Sequence, residues 1–68
     1  MREIDVYRLL VCYHQEVLPR DVVSIERADA VLDRIPDVLA EHRDCEKLVV
    51  MLDGLRLFAI DSSGARLP

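Results

Sequence analysis

Two apolar runs, Leu48-Val49-Val50-Met51-Leu52 and Leu55-Arg56-Leu57-Phe58-Ala59-Ile60, meet at Asp53-Gly54. An Asp-Gly pair readily takes the positive φ values of a type I′ turn, whose twist matches the flanking strands. The chain is therefore expected to form a β-hairpin whose register is set by a two-residue loop. That register pairs Leu52 with Leu55, Val50 with Leu57 and Leu48 with Ala59 on one face. The other face then carries Val49, Met51, Arg56, Phe58 and Ile60.

Upstream the period changes. On a helical wheel Ala28, Val31, Leu32, Ile35, Val38, Leu39 and His42 gather on one side, which predicts an amphipathic helix over about 25–43. Ser24 is a suitable N-cap, and Glu26 in the first turn suits the helix dipole. Pro36 lies inside this segment. It removes one hydrogen bond and presses on the Leu32 carbonyl, at a cost of about 3 kcal/mol. The apolar spacing nevertheless keeps its phase on both sides, so a continuous helix kinked at Pro36 is expected. Two helices broken at Ile35 are the alternative.

Residues 4–18 carry two conflicting signals. Ile4 through Tyr13 is rich in β-branched and aromatic residues, which favours a strand. Asp5, Arg8, Cys12 and Gln15 also fit a helical period that stops at Pro19. The strand is preferred, because Val6-Tyr7 and Leu9-Val11-Cys12-Tyr13 would crowd a helix on every side. Asp21-Val22-Val23-Ser24 can add a short strand before the helix. The expected fold is thus α+β, one helix on a small, mostly antiparallel sheet in βαββ or ββαββ order. It forms one domain over residues 1–61, with 62–68 as a short C-terminal tail.

One helix cannot cover both sides of such a sheet. Val49, Met51, Phe58 and Ile60, together with Leu9 and Val11, are the expected surplus apolar surface, suited to a homodimer or a second interface. A strongly curled sheet and the tail would be the simpler cover.

Thirteen acids against nine bases in 68 residues give a net charge of −4. Direct binding to nucleic acid or to anionic lipid is disfavoured, and attraction to basic protein surfaces is favoured. Acids at Glu3 and Asp5 do not suit a secretory leader, and no apolar run has the length of a membrane span. Two cysteines are too few for a disulfide scaffold, so a cytoplasmic protein is expected.

Chemistry is sparse. Cys12-x-His14 and His42-x-x-Cys45 offer two sulfurs and two imidazoles, but their spacing matches no zinc-finger pattern. They can meet only if a second strand precedes the helix, and no metal or other cofactor is expected. His42 reads as a packed rim residue. No Ser-His-Asp or Cys-His arrangement has a recognisable context, no glycine-rich phosphate loop is present, and an enzyme is not expected.

The remaining signal is acidic. Glu26, Asp29, Asp33, Asp37, Glu41 and Asp44 fall along the helix side opposite the apolar face, with Arg27, Arg34 and Arg43 on the flanks. The pairs Asp29–Asp33, Asp33–Asp37 and Asp37–Glu41 are like-charged at four-residue spacing, each costing a few tenths of a kcal/mol of helix stability. Successive carboxylates rise about 6 Å along the axis and can stand in for a row of backbone phosphates. Solvated helix faces are ordinarily charged, so solubility alone accounts for part of this pattern.

Small size, acidity, a mixed core and the absence of chemistry give the chain an overall character that resembles the phage-encoded anti-CRISPR proteins. The resemblance rests on no motif. It implies an inhibitor that occupies a basic nucleic-acid-binding surface of a partner, such as a CRISPR effector complex, as a DNA mimic. An antitoxin or immunity protein against a basic nuclease would use the same acidic surface. A structural or regulatory homodimer module is the rival class.

Overall fold

A computed structural model of the chain describes residues 6–68. The element order is β1 (Tyr7–Cys12), β2 (Asp21–Ile25), α1 (Ala28–Glu41), β3 (Lys47–Leu52), β4 (Leu55–Asp61) and β5 (Arg66–Leu67). The strands form one sheet in the order β2-β1-β3-β4-β5, with every neighbouring pair antiparallel. The fold is therefore α+β, in the ββαββ order with a fifth strand added.

Strand character holds at the N-terminus over Tyr7–Cys12 because alternation there is useful. Leu9 and Val11 point into the core at 0% exposure, while Arg8 points out. Ile4 and Asp5 lie outside the described residues.

The helix is shorter than its periodicity suggested. Ser24 does not cap it, because β2 continues through Ile25, which pairs with Tyr7 and is buried. The β-branched run Val22-Val23-Ser24-Ile25 is better used as sheet than as a first turn. Arg27 is the N-cap, with extended backbone and no side-chain capping bond. At the other end the His42 N–H reaches the carbonyls of Val38 and Leu39 at 3.1 and 3.2 Å and closes the last turn. Pro36 lies within one unbroken helix.

Asp53 (φ 50°) and Gly54 (φ 79°) both take the left-handed backbone of the expected turn. Leu52 pairs with Leu55 and Met51 with Arg56, but the register then shifts. Leu57 is left without a counterpart, a β-bulge, so that Val50 meets Phe58 and Leu48 meets Ile60. Phe58 and Ile60 are thereby carried to the helix side of the sheet, where both join or pack against the core. They do not belong with Val49 and Met51, contrary to the regular two-residue register.

Residues 62–68 are not a plain tail. Asp61 Oδ1 accepts hydrogen bonds from the Ser63 hydroxyl and from the Ser63 and Ala65 N–H groups. These donors, the Ser63 hydroxyl first, hold the Asp61 carboxyl below its ordinary pKa. The turn they close lets Arg66 and Leu67 pair with Ile60 and Ala59.

The core lies between α1 and one side of the sheet. Leu9, Val11, Leu48 and Val50 are completely enclosed beneath Val31 and Val38 of the helix. Among the described residues no helix is long and apolar enough to cross a membrane.

Candidate functional site

The acidic residues separate into three groups. Asp33, Asp37 and Glu41 stand exposed on α1 at four-residue spacing. Among the described residues none of them forms an ion pair. Asp29 is on the same helix but is neutralised. Arg27 Nε and Nη2 donate to its two carboxylate oxygens at 3.1 and 2.6 Å, and the guanidinium lowers its pKa. Glu26 precedes the helix in a bend, and Asp44 follows it in the loop to β3. The expected row of six thus contracts to three carboxylates on a rigid element, because the helix is bounded by β2 on one side and by the His42 cap on the other. A helical rise of about 1.5 Å per residue spreads those three over about 12 Å.

Between the apolar side of the helix and β4 runs an open groove of about 400 Å³, lined by Leu32, Ile35, Pro36 and Leu39 of the helix and by Phe58 and Ile60 of β4. Leu32 on its rim is 69% exposed.

The most connected polar cluster was not anticipated from the sequence. The Tyr13 hydroxyl lies 2.7 Å from His42 Nδ1, and His42 Nε2 lies 3.3 Å from Asp21 Oδ2. A nitrogen facing a carboxylate carries a proton, so the tautomer that fits both partners donates from Nε2 to Asp21 and accepts the Tyr13 O–H at Nδ1. The chain Tyr13–His42–Asp21 joins the residue after β1, the helix C-cap and the first residue of β2. The Arg20 guanidinium sits 3.5 Å from the centre of the Tyr13 ring and is itself paired with Glu16. Burial, with the Asp44 carboxylate nearby, raises the Tyr13 pKa and favours the protonated phenol. Two signals in the sequence could have found this cluster. Tyr13 continues the inward alternation Tyr7-Leu9-Val11, and His42 closes the apolar face of the helix.

The order ββαββ brings Cys12, His14, His42 and Cys45 to the same end of the molecule without assembling them. Cys45 is buried in the core, where desolvation raises its thiol pKa, and Cys12 is half-buried with its thiol toward the Leu10 carbonyl. His14 points to Glu46 at 3.7 Å, while His42 is engaged as described. Among the described residues no group of three or more His, Cys, Asp or Glu is placed to hold a metal ion.

On the side of the sheet away from α1, Val49 and Met51 lie where they were expected. Leu10, Val22, Ala59 and Leu67 join them, as the strand pairings require. The alternation of β1 and β2 could have indicated the first two. The bulge and β5 placed the other two, and neither was legible in advance.

Searches against protein-family models, curated proteins and solved structures found no match to this chain.

Proposed function

We propose that this chain is a small, non-catalytic inhibitory binding protein whose acidic helix face occupies a basic, nucleic-acid-binding surface of a partner protein. The observation that carries the reading is the exposed row Asp33, Asp37 and Glu41, held on one helix with no cation paired to it among the described residues. A protein built only for helix stability would interleave lysine or arginine at these positions. The unrelieved repulsion is instead relieved when a cationic surface docks. A CRISPR effector is the narrowest form of such a partner, in keeping with the anti-CRISPR character of the sequence. A basic nuclease neutralised by an immunity protein presents the same chemistry.

The test is charge reversal. Asp33→Lys with Asp37→Lys leaves the core untouched, since both side chains are exposed. The wild-type chain, immobilised and challenged with nuclease-treated host lysate, is expected to retain basic nucleic-acid-binding proteins at low salt and to release them at high salt. The doubly reversed chain is expected to retain none of them. Equal retention by both chains would end the proposal.

A further inference from the structure

The sheet has two outer strands, and they are finished differently. β5 is two residues long and is followed by Pro68, which has no N–H to offer a neighbour. β2 runs Asp21-Val22-Val23-Ser24-Ile25 with no proline, no lysine and no register shift against β1. Outer strands are ordinarily blunted by shortness, proline, lysine or a bulge, because an open row of N–H and C=O groups is a template for another strand.

Alternation fixes which groups are left open. Each residue of an antiparallel strand turns both backbone groups to one neighbour, and the next residue turns them to the other. The Arg20 N–H reaches the Val11 carbonyl at 2.8 Å, whereas the Cys12 carbonyl accepts from the Glu46 N–H on the opposite flank of β1. Tyr7, Leu9 and Val11 therefore serve β2, and their partners Ile25, Val23 and Asp21 turn inward to the ladder. Val22 and Ser24 turn outward. In agreement, the Val22 N–H goes to no strand but to Asp21 Oδ1, at 2.9 Å. Among the described residues no strand lies beyond β2 to take the Ser24 N–H or the carbonyls of Val22 and Ser24. Both residues are exposed, Val22 at 46%.

We propose that the outer edge of β2 is a docking site for an extended, cationic segment of a partner protein, which adds to the sheet as a further strand. The N–H and C=O groups of Val22 and Ser24 supply its main-chain hydrogen bonds, the incoming strand replacing Asp21 Oδ1 at the Val22 N–H. Charge selects the occupant. The cations at the two ends of β2 are already engaged, Arg20 with Glu16 and Arg27 with Asp29. Asp21 meets only the His42 ring, and Glu26 has no ion pair among the described residues. A lysine or arginine toward each end of the incoming strand satisfies both carboxylates. A second copy of this chain would instead bring its own Asp21 and Glu26 to the same edge, and the net charge of −4 on each copy adds to that repulsion. The site lies on the sheet and needs none of Asp33, Asp37 and Glu41.

The experiment follows backbone amides by nuclear magnetic resonance, with a synthetic peptide of alternating valine and lysine as the probe. In the free chain the Val23 and Ile25 amides are expected to resist exchange and the Ser24 amide to exchange freely. Saturating peptide is expected to slow exchange at Val22 and Ser24 roughly tenfold or more and to leave β5 unchanged. The same peptide methylated at every backbone nitrogen keeps its charge but loses its donors, and is expected to have no such effect. Ser24→Pro removes an outward N–H that the fold does not use, and is expected to weaken binding about tenfold. Glu26→Lys, an exposed replacement outside the strand, is expected to weaken it in a salt-dependent way and serves alone if the proline chain does not fold. A Ser24 amide already protected in the free chain overturns the proposal. So do an unchanged spectrum with the peptide, an equal response to the methylated peptide, variants that bind as the wild type does, or a mass that doubles without peptide. The Asp33→Lys, Asp37→Lys chain is expected to respond at Val22 and Ser24 as the wild type does, which separates this test from that of the acidic face.

Discussion

The two sides of the sheet are built from the same strands by the same alternation, yet only one packs against α1. On the helix side Leu9, Val11, Leu48 and Val50 are wholly enclosed. On the side away from α1 Val49 and Ala59 are buried as well, at 9% and 0% exposure, while Val22 in the edge strand is 46% exposed. The contrast shows that strand composition does not decide which residues lie beneath the helix. Register does, and in β4 register is decided by one unpaired residue, Leu57. With the bulge, Phe58 and Ile60 support α1. Without it, in a hairpin running regularly from Asp53-Gly54, they would lie on the side away from α1 and Ala59 would sit beneath the helix.

Deletions break this comparison most sharply. With the bulge held at Leu57, removing Ala59 moves Ile60 out of the core side and carries Asp61 into it, next to enclosed Leu48. An unpaired carboxylate and a lost core residue together exceed what a chain of this size can absorb, given a total stability of roughly 3–10 kcal/mol. Loss of cooperative thermal unfolding is expected. Removing Leu57 keeps Val50 opposite Phe58 and Leu48 opposite Ile60, and only straightens the ladder. That chain is expected to fold with a change of about 1 kcal/mol. If both deletions unfold the protein alike, the register argument fails.

Single truncations sharpen the same contrast at smaller scale. Leu9→Ala empties an enclosed site beneath α1 and is expected to cost about 2–5 kcal/mol. Met51→Ala, half-exposed on the other side, is expected to cost less than about 1 kcal/mol. Urea midpoints with unchanged slopes, taken at low protein concentration, measure both. Similar costs would mean that the side away from α1 is as much a part of the core as the side beneath it.

The legible parts of this fold were those with a local cause. The Asp53-Gly54 turn follows from backbone preference, and the continuous helix through Pro36 follows from the unbroken apolar phase on both sides of it. The preference for strand at Tyr7–Cys12 likewise rested on branched side chains that crowd a helix. What escaped was decided at longer range. Ser24 is an acceptable cap in isolation, yet the pairing of Ile25 with Tyr7 claims that stretch for the sheet. Leu57 looks like any other strand residue until Phe58 is needed under the helix. Ser62 to Pro68 reads as a tail until the Asp61 carboxylate gathers three donors and turns the chain back. The acidic row was legible as a pattern but not in extent. Pairing of Asp29 with Arg27, two residues away, is invisible on a wheel that counts only steps of three and four.

The smallest of these effects tests how the covered side is closed at its open end. Tyr13, His42 and Asp21 tie β1, the helix cap and β2 together where the core reaches solvent. Tyr13→Phe keeps the ring in place beneath Arg20 and removes only the hydroxyl, leaving His42 Nδ1 without its donor. Because His42 keeps partial access to water, at 17% side-chain exposure, the orphaned nitrogen can be resolvated. The expected cost is therefore that of one net hydrogen bond, about 0.5–1.5 kcal/mol, and not that of a buried unsatisfied group. A double-mutant cycle with His42→Ala separates the two accounts. Coupling within that range places the bond itself in the stability of the helix end, whereas additive losses would mean that Tyr13 and His42 act there as separate packing groups. The corresponding exchange signature lies in the last turn of α1. Amides at Leu39 to His42 should lose protection in Tyr13→Phe while those of β3 and β4 keep theirs, since the partner of the hydroxyl is the helix cap and not those strands.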